Sequence, residues 1–352
     1  ADMTSYERIK RTFEHKETDR IPIFDIPWKG TLRRWRSEGM PEDADWRDFF
    51  DVDKVETIGI NISPRYERKV LEENDRWRIV TSYWGVTMKE FKEEDSTPEF
   101  LDFKVNTPEA WAEAKKLMIP SRDRINWERL KQFDKWRADG RWIEGEFWFG
   151  FDVAHSWMAG TETILCALLE EPEWVSDIFN TYLDMCIAEF DMIWDAGYRF
   201  DSIHWPDDMG YKGTSFFSKE LYRELLQPVQ KRAVKWAHDH GIYAHLHSCG
   251  NIMTLLPDIV ETGIDALNPL EVKAGMDGAK IKAEYGKRLV LHGGVNAALY
   301  GDREKMLAEV RDKLPILAEG GGYIFSSDHS IPNNTSLETF REITDIIKAY
   351  RF

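Results

Sequence analysis

Short apolar runs recur along the chain, separated by polar stretches with helical spacing. RIPIFD (20–25), VETIGI (55–60), WIEGEFWF (142–149), FDSIHW (200–205), IYAHLH (242–247), DALNP (265–269), RLVLHG (288–293) and YIFSS (323–327) form a set of eight. Each is brief and rich in β-formers, as strands buried on both faces are. The segments between them read as helices. SKELYRELLQPVQKRAVKWAHDHG opens on Ser218 as N-cap and stops at Gly241, and Pro228 inside it predicts a kink or a fresh helix start. NIMTLLPDIVETG closes on Gly263, REKMLAEVRDKLPILAEG closes on Gly320, and SLETFREITDIIKAYRF is a helix at the end of the chain. Eight strands, most of them followed by a helix, predict an α/β fold, the (β/α)8 TIM barrel.

Residues 63–140 break this rhythm. YERKVLEENDRWRIVTSYWGVTMKEFK holds two extended, alternating pieces around Glu73-Asn74-Asp75, which predicts a β-hairpin, and a helical WAEAKKLM follows. With no low-complexity linker on either side, 63–140 reads as an insertion between barrel strands two and three. The expectation is one barrel domain over residues 1–352.

Composition fits that picture. A chain of 352 residues is long for a sandwich and normal for a barrel with an insertion. Its 15 Trp exceed what a core needs, so some are expected to wall a pocket for a flat or apolar ligand. A formal charge of −16 disfavours nucleic acid and anionic lipid as partners. No apolar run is long enough to span a membrane, and the first residues lack a signal-peptide core. Three cysteines (Cys166, Cys186, Cys249) make no disulfide framework, so a reducing cytoplasm is the expected location.

The chemistry gathers in HLHSCGN (245–251), where a predicted strand ends. Side chains at the carboxyl ends of barrel strands face the active-site mouth. His247 and Cys249 are two residues apart, so an extended chain points both the same way, and imidazole with thiolate is a normal zinc pair. His245 shares their side and is expected to be a satisfied core histidine. A third ligand would come from another strand end: Glu271, His292, His329, His204 or Asp207. A packed core could explain a lone HxC. Histidines at several other strand ends (His204, His292, His329) weigh against that. Asp207 and Asp208, in WPDDMG, serve as helix or loop carboxylates or face the mouth. Glu146 lies within strand three and is expected to point into the barrel, where an unpaired carboxylate is costly. Trp28, Trp148, Trp157 and Trp205 fall at or just beyond strand ends and are candidates for a ligand wall.

HSCGNIMTLLPDIVETGIDALNPLE, LVLHGGVNAALYGD and GGGYIFSSDHSIP resemble the uroporphyrinogen decarboxylase superfamily. So do DDMGYKGTSFFSKELYRELLQPVQK and WMAGTETILCALLEEPEWV, and the likeness covers nearly everything beyond residue 140. In the decarboxylase branch an Arg-rich segment follows the first strand. Here DIPWKGTLRRW stands in its place, with only Arg33 and Arg34 nearby, and GINISPRYE lacks the Asp of that branch's second strand. The zinc- and corrinoid-dependent methyltransferase branch carries HxCG after strand five, as His247–Gly250 do, and a Cys after strand eight, where this chain has His329.

This resemblance implies a zinc site of His247, Cys249 and His329, while Glu271, at the end of strand six, is the candidate for a fourth ligand or a proton carrier. Fewer sulfur ligands make a harder, more Lewis-acidic metal, suited to polarising an ether oxygen for attack by cobalt(I). The segment 65–91 also resembles O-demethylase-like members. The implied function is methyl transfer from a methylated small molecule, an aryl methyl ether, to the cobalt of a corrinoid carried by a partner protein. Asp207 and Glu146 are then the catalytic candidates, and Trp28, Trp148, His204, Trp205, Asp208 and His292 the substrate-binding ones. The alternatives are methyl transfer from a methylcorrinoid to a thiol, decarboxylation of a carboxylated aromatic or tetrapyrrole, and a non-catalytic zinc barrel. The decarboxylase relatives suggest a homodimer.

Overall fold

The computed structural model describes residues 2–93 and 96–351. Its central sheet is parallel. Strand β1 (Val55–Ile58) pairs with β6 (Trp142–Glu146), and β7 (Ser202–Pro206), β10 (Tyr243–His247), β11 (Ala266–Asn268), β12 (Val290–His292) and β13 (Tyr323–Ile324) follow in order. The eighth stave is the predicted first strand. It closes the ring without a regular ladder. Phe24 N–H donates to Phe325 O, Phe325 N–H to Pro22 O, and Asp53 N–H to Ile23 O. Pro22 and Pro27 remove two amide donors from this segment, so only bridges at Ile23 and Pro27 form. The chain is a (β/α)8 barrel whose first stave is held by a few bonds on each side.

Between β1 and β6 lies the insertion. It is larger than a hairpin: β2 (Lys69–Glu73), β3 (Trp77–Thr81), β4 (Val86–Phe91) and β5 (Glu99–Phe103) form an antiparallel sheet in sequence order. The predicted turn at Glu73–Asp75 joins β2 to β3. The two further strands escaped the sequence pattern because β5 is mostly exposed and shows little alternation. Val80, Val86 and Met88 bury one side of this sheet. Phe100 meets Trp157 edge-on at 5.4 Å, which docks the sheet on the π-helix Val153–Ala159 that follows β6.

The helix Gln227–Asp239 carries Pro228 in its first turn, preceded by a π-turn at Tyr222–Leu226. The proline thus marks a new start, where its missing N–H costs nothing. Ser218 caps the preceding turn through Leu221 N–H. A small hairpin, β8 (Gly210–Tyr211) with β9 (Thr214–Ser215), sits beside the turn after β10. No helix among the described residues is long and apolar enough to cross a membrane.

The barrel lumen is layered. Trp142, Ala266, Val290 and Ile324 fill its lower end, where Phe13 of the N-terminal helix Ser5–Phe13 plugs it with Tyr243 and Trp142 at ring distances of 4.6 and 5.5 Å. Above them the register aligns Glu144 with Ser202, Glu146 with His204, and His204 with His245. Side chains alternate along each strand, so this layer points inward while Trp205 and Leu246 point out to the helices.

Candidate metal centre and substrate cavity

Three side chains converge where β7 and β10 end. Donor atoms of Asp208, His247 and Cys249 all lie within 4.8 Å of one another. Cys249 Sγ is 3.3 Å from His247 Nε2, which is 3.7 Å from Asp208 Oδ1. In a tetrahedral zinc site with nitrogen, oxygen and sulfur at their usual bond lengths, donors stand roughly 3.3–3.6 Å apart. The cluster therefore fits a zinc ion by donor type, and the two distances from His247 stand near that spacing.

The local backbone builds this arrangement. Cys249 N–H donates to Asp208 Oδ1 at 2.8 Å, and Gly250 N–H to Glu271 Oε2 at 2.7 Å. Gly250 has φ +81°, and a Cβ there would collide with the Gly210 backbone. Glycine lets the thiol-bearing turn press against the β8–β9 hairpin. Burial, then the Asp208 and Glu271 carboxylates, push the Cys249 thiol up. Burial lowers His247, the neutral form a metal ligand requires, although Asp208 pulls the other way. A thiol beside two carboxylates and a neutral imidazole is an environment that a divalent cation would stabilise, by turning the thiol into thiolate.

The third donor gathered by the fold is Asp208. Sequence reading had placed it with substrate and expected His329 instead. His329 stands exposed on the rim, with Trp28 edge-on at 6.0 Å, although it lies near enough to His247 to depress it electrostatically. Glu271 braces the turn rather than joining the trio. Asp207 is fully buried. Its Oδ1 accepts from Asp152 N–H at 2.9 Å, so it anchors the start of the helix after β6. A Cβ on Gly150 would strike that same carboxylate.

Two expected substrate contacts are corrected. Trp205 is fully buried and packs on Phe149 at 5.8 Å, because it alternates with the inward His204 and faces the helices. His292 has both ring nitrogens engaged, Nδ1 at 3.3 Å from His245 Nε2 and Nε2 at 2.7 Å from Phe24 O. It is a core histidine, as is His245. His204 is beside this pair, 5.3 Å from the His245 ring and with Nδ1 4.0 Å from Glu144 Oε1.

A cavity of about 390 Å³ opens between β6 and the inserted sheet. Its walls include Asn61, Ser63, Tyr83, Trp84 and Trp148, and Glu146 faces it. Trp148 lies edge-on to Trp84 at 6.4 Å and to Trp157 at 5.7 Å. Trp148 and Glu146 were expected here. Tyr83, Trp84, Asn61 and Ser63 were missed, although the SYWG turn between two alternating strands was a usable signal. Asp152 was missed too. It hydrogen-bonds Trp148 and Ser156, and burial and the nearby Asp208 raise it to about 7.

A barrel with a sulfur–nitrogen–oxygen cluster at the carboxyl ends of its strands, the end where barrel enzymes carry their active sites, is the class of fold the structure defines. The model of the uroporphyrinogen decarboxylase family matches residues 150–350, more than half of the chain, and the chain belongs to that family. A uroporphyrinogen decarboxylase of Mannheimia succiniciproducens is 31% identical over 96 residues, which cover 27% of this chain and 26% of that protein. The alignment thus spans about a quarter of that relative. A methyltransferase from Methanosarcina mazei superposes over 99% of this chain and 100% of its own with a TM-score of 0.66 and 17% identity, a likeness of fold.

Proposed function

We propose that this chain is a corrinoid-dependent methyltransferase. It takes a methyl group from an aryl methyl ether and gives it to cobalt in a corrinoid carried by a separate protein docked over the barrel mouth. The observation that carries this reading is the convergence of Asp208, His247 and Cys249 at that mouth. A single sulfur among nitrogen and oxygen donors makes a hard set. Zinc held there supplies a Lewis acid toward an ether oxygen.

The rest falls to the chain's own side chains. Glu271 keeps the Cys249 turn in place through Gly250 N–H. Trp148, with Trp84 and Trp157 around it, offers a flat apolar wall for a ring. Trp28 and His329 stand at the rim, where the donor enters. A cobalt(I) corrinoid brought by the partner would supply the electron pair that takes the methyl group, and the aryloxide would leave with the electrons of the broken carbon–oxygen bond. We read residues 1–352 as one barrel domain with 63–140 inserted in it, working in the cytoplasm, alone or as a homodimer.

The family match favours a second reading, a decarboxylase of a carboxylated aromatic. Against it, no Lys or Arg among the described residues lines the cavity to hold a carboxylate.

Metal analysis of the purified chain beside Cys249→Ala comes first. About one zinc per chain is expected, lost in the variant. Cobalt(I) corrinoid protein and methoxylated phenols are then added, and the methylcobalt absorbance is followed. Zinc retained by the variant, or decarboxylation that survives a chelator, overturns the reading. Methylation of a thiol with inert ethers reverses the direction of transfer.

A further inference from the structure

The cavity between β6 and the inserted sheet has one carboxylate among the described residues of its wall. Glu146 ends β6 with its side chain turned to the lumen, and among the described residues its carboxylate has no hydrogen bond and no ion pair. Burial raises it, His204 lowers it, and Glu144 raises it further. Its neighbours in the cavity are apolar (Ile60, Ile62, and the rings of Tyr83, Trp84 and Trp148) or neutral and polar (Asn61, Ser63). Asn61 Oδ1 is already occupied by Ser63 N–H and Oγ–H, and Ser63 Oγ by Arg65 N–H. Glu146 is therefore an acceptor in this wall with no protein donor among the described residues, and its oxygens are open to water. A ligand that fills the cavity displaces that water, and the acceptor is then left unpaired at a cost unless the ligand brings a donor.

Charge and distance narrow that ligand. No Lys, Arg or His is among the described residues lining the cavity. An anion placed there would meet Glu146 with nothing to offset the repulsion. Glu146 is in register with His204, and His204 with His245, one inward position below His247 on β10. Two strand spacings, roughly 10 Å, therefore separate the backbones of β6 and β10. A single benzene ring with an oxygen at each end is of a size to lie between their inward side chains, one oxygen toward the metal centre and the other toward Glu146.

We infer that Glu146 accepts a hydrogen bond from a phenolic hydroxyl of the ligand, so that this cavity selects methoxylated phenols over methoxybenzoates and fully methylated ethers. This rests on the proposed reading of the same site and adds which donors it takes. Selection arises because only the phenol satisfies the buried acceptor. The dimethyl ether leaves it unpaired, and the benzoate adds a second negative charge.

Calorimetric binding to the purified protein without any corrinoid protein tests this, since no turnover can then occur. The probes are 4-methoxyphenol, 4-methylphenol, 1,4-dimethoxybenzene and 4-methoxybenzoate. Both phenols are expected to bind about tenfold or more tightly than the other two, the size of a hydrogen bond to a charged acceptor. Glu146→Leu removes that preference and tightens dimethoxybenzene binding, since the acceptor it leaves unpaired is gone. Glu146→Gln keeps the shape should the leucine variant fail to fold, and weakens phenol binding about fivefold through loss of the charge. Benzoate binding as tightly as phenol, or one order of affinities in all three proteins, overturns the inference. Phenol selectivity without any methyl transfer leaves the inference standing and removes the proposed reaction. Methyl transfer without phenol selectivity does the reverse.

Discussion

His245 and His247 share one strand and one side of it, yet they belong to two different regions of the lumen. Below, His245 is 3% exposed and locked to His292, over a floor of Phe13, Trp142 and Tyr243. Above, the His247 side chain is 27% exposed, with a sulfur and a carboxylate as its neighbours. Residue type and strand are the same, and depth alone differs. A histidine one layer down is enclosed by strands on all sides, so its nitrogens must be satisfied by the protein. One layer up, the loops after β7 and β10 take over, and they bring a carboxylate and a thiol to the open end. On the proposed reading, the barrel separates a layer that stabilises from a layer that binds.

The floor offers the largest way to break this contrast. Phe13→Ala removes a buried ring that stacks on both Trp142 and Tyr243. A loss of about 3–5 kcal/mol in unfolding free energy is expected by denaturant titration. Zinc content at low denaturant should stay the same, since the trio stands at the other end. A metal content that falls with stability would show that the two layers are one unit.

The histidine pair sharpens it further. His247→Ala should weaken zinc binding by more than about 100-fold, beyond the usual cost of losing an outer partner of a metal site. His245→Leu should keep the metal and lower stability instead. Competition with a chromophoric chelator reads both, and equal losses of affinity in the two variants would refute the separation by depth.

The smallest effect concerns Glu144, inward-facing on β6 and accepting a hydrogen bond from Thr57 Oγ1 at 2.9 Å. Burial raises it from 4.5 to about 7 even so. The folded carboxyl holds its proton more tightly than the unfolded one. Its contribution to stability is therefore full below about pH 4.5 and is lost as the pH rises through 7. Glu144→Gln should raise the Tm by roughly 2 °C or more at pH 8 and leave it nearly unchanged at pH 4. A gain of equal size at both pH values would mean the carboxyl is not protonated in the fold.

Much of the architecture was legible because barrel strands buried on both faces leave an apolar signature that needs no partner to be read. All eight staves, the insertion between the second and third, and the caps at Ser218 and Pro228 follow from local spacing and turn chemistry. Boundaries were less legible. The 20–25 segment has strand-like residues, but Pro22 and Pro27 withhold the donors a ladder needs. In the site, His247 and Cys249 stood out because their spacing and their place at a strand end are both sequence properties. Asp208 as their neighbour, Glu271 as a brace on Gly250, and Tyr83 and Trp84 over the cavity did not.

The sequence by itself determined which faces of which strands meet the lumen, and so that an imidazole and a thiol would share its upper rim. Alternation along a strand fixes that without reference to anything distant. Only the tertiary structure decided what stands beside them. The closeness of Asp208 to Cys249, of His292 to His245, and of the SYWG turn to Glu146 depends on how loops far apart in the chain fold over one opening. No local pattern of residues encodes a distance of that kind.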